Sequence, residues 1–359
     1  MLNRRDLLAR IAGATALPDG LLPGFARTSP GLRDIAANRG AIYGCAANTF
    51  ELKQSDFVPV LARETAMLVA EYEMKRGVIE EQRGVFDFSA GDALLAFAST
   101  HNMSLRGHAL VWHHRNPDWL EEAIAYPHGD ALLTGYIAKV AGHYKGRLHS
   151  WDVVNEAIAP DDGRPDGLRD TLWLKRFGPE YIDLAFHAAR NADSSAMLVY
   201  NDWGCELGAP ENDRFRAVTL DFLESALARG VPIDALGLQG HLSAFGSQVD
   251  QIKLSRFLDG VHAMGLKILV TEHDVDDSGG PSDIATRDRA VADASQRFLD
   301  VMLRHSSTIA VLTWGLSDRY LDPPALRDRL KGRLPRALPL DSEFNRKPMW
   351  AAMARTFGT

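Results

Sequence analysis

Eight short apolar runs recur along the chain, each followed by a polar or helically patterned stretch. They occupy residues 42–46, 67–70, 104–108, 150–155, 197–201, 235–239, 267–271 and 309–314. Runs of this length bounded by turn residues read as buried strands. Between them, residues 92–98 place apolar side chains on one helical face. Residues 215–229 set Val218, Phe222, Leu223, Ala226 and Leu227 in helical register, and Gly230-Val231-Pro232 stops that helix. Strands alternating with helices imply a parallel sheet, because parallel neighbours need a long crossover. Eight such units predict an α/β fold of one domain, a (β/α)8 TIM barrel. The rival is an open doubly wound sheet, which carries a glycine-rich phosphate turn after its first strand. Gly44-Cys45-Ala46-Ala47-Asn48 is not such a turn. The polar segments 161–170 and 276–283 follow the fourth and seventh runs and are expected to rim the face where strands end.

Composition narrows the partners. The 359 residues are 46% hydrophobic, enough for one large core, and the formal net charge is −7. Nothing in that balance points to a nucleic-acid partner, which would need a basic face. A neutral polysaccharide or oligosaccharide, or another small polar substrate, fits better, and the chain reads as a monomer. Cys45 and Cys205 have no metal-ligand spacing and form no disulfide framework. They read as two buried free thiols, with a single bridge as the alternative. No stretch reaches the roughly 18 apolar residues of a membrane span. At the N-terminus, Asn3-Arg4-Arg5-Asp6-Leu7-Leu8 resembles a twin-arginine export motif, and a mild apolar run over residues 11–17 follows. Residues 1–26 are therefore expected to be an export signal, with an ordinary basic helix as the alternative. The mature domain, residues 27–359, would then work in the periplasm or outside the cell.

Most runs end in polar or aromatic groups: Glu73 and Lys75; His108, Trp112 and His113; Asn155 and Glu156; Asn201 and Asp202; Gln239 and His241; Glu272; Trp314. In a barrel the C-terminal strand ends meet at one face, where active sites sit. Any one carboxylate there could be a helix cap, but so many polar groups in a ring cannot all be caps. Glu156 and Glu272 stand out, directly after the fourth and seventh runs. Glycosidic bond cleavage needs such a pair, one to protonate the leaving oxygen and one to attack the anomeric carbon. Donors such as His241 and Asn155 favour a charged carboxylate, while a facing negative charge keeps a carboxyl protonated. Two other classes remain open. A metal-dependent hydrolase could use His108, His113, His114, His241 and His273, yet no His-Glu-x-x-His helix or clustered ligand set is present. A non-catalytic sugar-binding barrel would keep aromatic platforms without needing both carboxylates. No metal and no organic cofactor are expected.

These motifs together resemble glycoside hydrolase family 10, the endo-β-1,4-xylanases. The resemblance rests on Arg106-Gly107-His108-Ala109-Leu110-Val111-Trp112-His113, Trp151-Asp152-Val153-Val154-Asn155-Glu156-Ala157 and Val270-Thr271-Glu272-His273-Asp274-Val275. Leu198-Val199-Tyr200-Asn201-Asp202, Gln239-Gly240-His241-Leu242, Trp314-Gly315-Leu316-Ser317-Asp318 and Asn345-Arg346-Lys347-Pro348-Met349-Trp350 complete the set, in order from about residue 41 to the end. The resemblance implies Glu156 as acid/base and Glu272 as nucleophile in a retaining double displacement. It implies Asn155, His108, Lys75 and Gln239 on sugar hydroxyls, Trp112 and Trp314 as apolar walls, and His241 bonded to the nucleophile. His113, Asn201 and Asp202 would stand behind them. The chain departs from the family at the second strand, where Glu71-Tyr72-Glu73-Met74-Lys75-Arg76 replaces Glu-Asn-x-Met-Lys-Trp. It also lacks a second Trp near Asp322. These departures imply altered distal glycone contacts, and a β-glucanase or an exo-acting β-xylosidase of the same fold stays open. Arg76 is expected either to meet an acidic substituent or to face solvent.

Overall fold

Among the described residues nine strands follow one another: β1 (Ile42–Ala47), β2 (Met67–Ala70), β3 (Ser104–Val111), β4 (Ser150–Asn155), β5 (Met197–Asp202), β6 (Ala235–Leu238), β7 (His241–Ser243), β8 (Lys267–Asp276) and β9 (Thr308–Thr313). The computed structural model describes residues 29–126, 129–321 and 332–359. The expected export signal and Asp322 lie outside these residues. Strand pairing runs β6-β5-β4-β3-β2-β1-β9-β8, and β6 pairs in parallel with β8. That last ladder closes an eight-stranded parallel barrel and removes the open sheet. β7 continues the sixth stave beyond Gln239-Gly240 and pairs with the outer half of β8, His241 opposite Asp274. Because of that ladder β8 runs on to Asp276, so Glu272 lies within the strand rather than after it.

The apolar runs are continuous because the strands are buried on both faces. One set of side chains fills the barrel: Ala46, Met67, Val69, Val199, Ala235, Leu269, Ala310 and Leu312. Their neighbours Leu68, Leu198, Leu236, Ile268 and Val270 point outward into the layer beneath the helices. This is the two-residue period of a strand. The expected helices coincide with Ser89–Thr100 and Pro210–Ala228, the second ending one residue before Arg229, which caps it. Asp250 and Asp283 begin later helices by accepting hydrogen bonds from backbone N–H groups of the first turn. Both cysteines are buried and unpaired. Among the described residues no helix is long and apolar enough to cross a membrane.

Two polar clamps tie the ends of the chain to the barrel. Glu64, fully buried ahead of β2, accepts hydrogen bonds from Leu32 N at 3.0 Å, Trp350 Nε1 at 2.8 Å and Arg346 Nη2 at 2.8 Å. Lys347, also buried, donates to Asp318 at 2.6 Å and to the Arg336 carbonyl at 2.7 Å. A buried charge survives only when paired in this way.

Candidate active site

Glu156 leaves β4 in the left-handed region, with φ 59°. A non-glycine residue held there costs on the order of 1–3 kcal/mol, so its surroundings must fix it. The fixing bond runs from Glu156 N to the Asn201 carbonyl at 2.9 Å, on neighbouring β5. The turn brings the carboxyl to the face where the strands end. Its Oε1 accepts from Gln239 Nε2 at 3.0 Å and from Asn155 Nδ2 at 3.2 Å. Its Oε2 stands 3.9 Å from His113 Nε2.

Glu272 is almost wholly buried, and its environment is different in kind. Asn201 Nδ2 donates to Oε1 at 2.8 Å, His241 Nε2 lies 3.3 Å from Oε2, and His108 Nδ1 is 3.9 Å from Oε1. Burial alone would raise its pKa. The His241 hydrogen bond, the charges of His108 and His241, and the Asn201 amide outweigh burial and bring it down to about 2. Burial pulls the His241 pKa down, but the Asp274 carboxylate at 2.9 Å and Glu272 together hold it well above the usual imidazole range. The pair is thus a carboxylate against an imidazolium.

Amide side chains join the two carboxyl groups. Asn201 Nδ2 reaches both Glu272 and the Asn155 oxygen, at 2.8 Å each, and Asn155 reaches Glu156. Gln239 links the two residues in another way: its backbone carbonyl accepts the Glu272 backbone N–H at 2.9 Å, while its side-chain amide donates to the Glu156 carboxyl. Asn201 is oriented by Thr271 Oγ1, which donates to its oxygen at 2.6 Å. A Cβ at residue 237 would come within 2.3 Å of that oxygen, so Gly237 is what leaves room for the amide.

Lys75 and the two tryptophans form the wall. The buried Lys75 ammonium is 5.0 Å from the Trp112 ring centroid and 5.7 Å from that of Trp314. The His108 ring is 5.4 Å from Trp314. Behind it, His108 Nδ1 bonds Asp152 at 2.9 Å, and Asp152 in turn accepts from Arg106 at 2.5 Å. All nine residues expected at the site (Lys75, His108, Trp112, Asn155, Glu156, Gln239, His241, Glu272 and Trp314) are therefore brought together.

Asn201, expected behind the site, stands there and is the amide that bonds Glu272. Two expectations need correction. Asn155 donates to Glu156, not to Glu272. Arg76 neither meets substrate nor faces solvent: it is 4% exposed, bonds Glu80 at 2.9 and 3.1 Å, and lies 4.2 Å over the Tyr136 ring. It replaces an aromatic with a cation that brings its own counter-charge from the next helical turn. Asp152 and Asp274 were missed as partners of His108 and His241. A charge between Trp151 and Val153 in an apolar strand was the available signal, since it demands a buried partner.

The model of glycosyl hydrolase family 10 matches residues 31–356. The chain belongs to glycosyl hydrolase family 10. Within the family it is 30% identical over 347 residues to endo-1,4-beta-xylanase B of Thermotoga neapolitana, covering 93% of each chain. It is 34% identical over 292 residues to endo-1,4-beta-xylanase A of Caldicellulosiruptor sp. strain Rt8B.4, covering 76% of this chain but only 42% of that longer relative. Xylanase 10B of Thermotoga petrophila, solved with xylobiose, superposes with a TM-score of 0.81 at 30% identity, over 92% of this chain and 98% of that one.

Proposed function

We propose that the chain is a retaining endo-β-1,4-xylanase acting on xylan or xylooligosaccharides, with Glu272 as nucleophile and Glu156 as acid/base. The observation that carries this is the contrast between the two carboxyl groups. Glu272 is held ionised by His241, His108 and Asn201, while Glu156 sits across two amide links from it. Glu272 attacks the anomeric carbon as Glu156 gives its proton to the departing oxygen, leaving a glycosyl ester. Glu156 then takes a proton from water, the water oxygen attacks the same carbon, and the Glu272 carboxylate leaves. Asn155, Lys75, His108 and Gln239 hold sugar hydroxyls, and Trp112 and Trp314 cover the apolar face of the ring. The family and the xylanase relatives support the substrate. Tyr72, where the family pattern has Asn, changes the distal glycone contact from an amide to a phenol.

The test is to incubate the protein with β-1,4-xylo- and gluco-oligosaccharides, following product lengths and the anomer first formed by NMR. Internal cleavage of the xylo series with β products is expected. An α product first, or no turnover, refutes the mechanism; single residues released from one end mark exo action, and preference for the gluco series a glucanase. We also propose export to the periplasm or beyond, which N-terminal sequencing of the protein recovered from its source would check by loss of about the first 26 residues.

A further inference from the structure

Beside the cleft, two loops wall a groove of about 620 Å³. One follows β2 and contributes Tyr72, Lys75 and Gly77; the other follows β3 and contributes Arg115 and Trp119. Gly77 N donates to the Arg115 carbonyl at 2.8 Å, and a Cβ on Gly77 would stand 2.7 Å from that oxygen. The loops meet because residue 77 has no side chain. Arg115 itself is exposed and left-handed, with φ 56°. Its guanidinium lies 5.8 Å from the Tyr72 ring centroid, and the Lys75 ammonium lies 5.2 Å from the same centroid. Two cations thus share one phenol ring at the mouth of the site. Among the described residues, neither makes an ion pair or a side-chain hydrogen bond. Glu81 and Asp118 also line the groove. Neither pairs with Arg115; Glu71 stands beside the Tyr72 hydroxyl and, with Glu272 and Glu156, faces Lys75, so Arg115 is the cation of this groove that an incoming anion finds without a carboxylate partner.

We infer that this groove binds the carboxylate of a uronic acid substituent on the polysaccharide, with Arg115 as the residue that reads it. A planar guanidinium offers forked donors that match a carboxylate. A neutral sugar stacking on Tyr72 would need no unpaired cation there. The inference rests on the xylanase reading and specifies which chains are preferred. Arg115, not the buried Arg76, is the group placed to do this.

The experiment compares kcat/KM on two β-1,4-xylooligosaccharides of equal backbone length, one plain and one carrying a single glucuronic acid branch. Arg115→Asn is the informative variant, because Asn tolerates left-handed backbone. The acidic-to-plain ratio is expected to fall about fivefold in Arg115→Asn, as for a solvent-accessible ion pair, and less in Arg115→Lys. In the parent, raising NaCl to about 0.5 M should shrink the same ratio by screening. A ratio in Arg115→Asn within twofold of the parent's overturns the inference and leaves the xylanase reading standing. A parent that hydrolyses neither substrate overturns that reading, and the inference with it.

Discussion

Replacing His241 with Ala should move the acid limb of the pH–rate profile upward. In the parent Glu272 is held near 2 against an ordinary 4.5. Each unit is about 1.4 kcal/mol, so that gap represents roughly 3 kcal/mol of preference for the charged form. His241 supplies the leading stabilising contribution, as hydrogen bond and as charge, while burial pushes the other way and persists in the variant. Only His108 and Asn201 then remain, and the pKa should return to the region of 4.5. The sign follows: a depressed carboxyl pKa keeps the nucleophile charged down to low pH, and losing the depression disarms it as pH falls. The assay is kcat/KM against pH, which reports the free enzyme, with pre-incubation controls for acid unfolding. Below the new limb the variant-to-parent ratio should fall about tenfold per pH unit. Asp274→Asn should shift the limb the same way but less, since it keeps the imidazole. A variant-to-parent ratio that is flat from about pH 6 to about pH 4 would refute the reasoning.

Other outcomes follow from the same geometry. Glu272→Ala should lower kcat by about 10⁴ or more, and Glu156→Ala should lose far less on aryl glycosides whose leaving group needs no proton, both read by initial rates. Gly237→Ala drives a methyl against the Asn201 oxygen, so its kcat should drop alongside a stability loss of about 1–3 kcal/mol, seen by turnover and urea melts. Asp318→Asn strips Lys347 of its buried partner and should cost about 3 kcal/mol in the same melts. Prolonged EDTA treatment should leave the rate unchanged; among the described residues no group of three or more metal-ligating side chains is assembled.

The eight staves were legible because a strand buried on both faces must be apolar at every position, as at Met67–Ala70. β7 was not, since three residues, one of them His241, carry no period. Glu156 and Glu272 were legible as acids at the ends of apolar runs in matching motifs. Their partners were harder. Asn201 stands directly opposite Asn155 on the next strand, and that register exists only once the barrel closes. Arg76 was misread because Trp119, Tyr136 and Trp173, which surround it, come from separate segments. Nothing next to Arg76 in the chain announces them.

Glu64 gathers the backbone of Leu32, the Trp350 indole and the Arg346 guanidinium on one carboxylate, so the first and last described helices are seated side by side. A short linker could join them, and new ends could be opened at Gly230, an exposed turn with free space around its Cα. Such a circularly permuted chain would keep every cleft loop uncut. It would also carry its fusion partners on the far side of the molecule from the substrate.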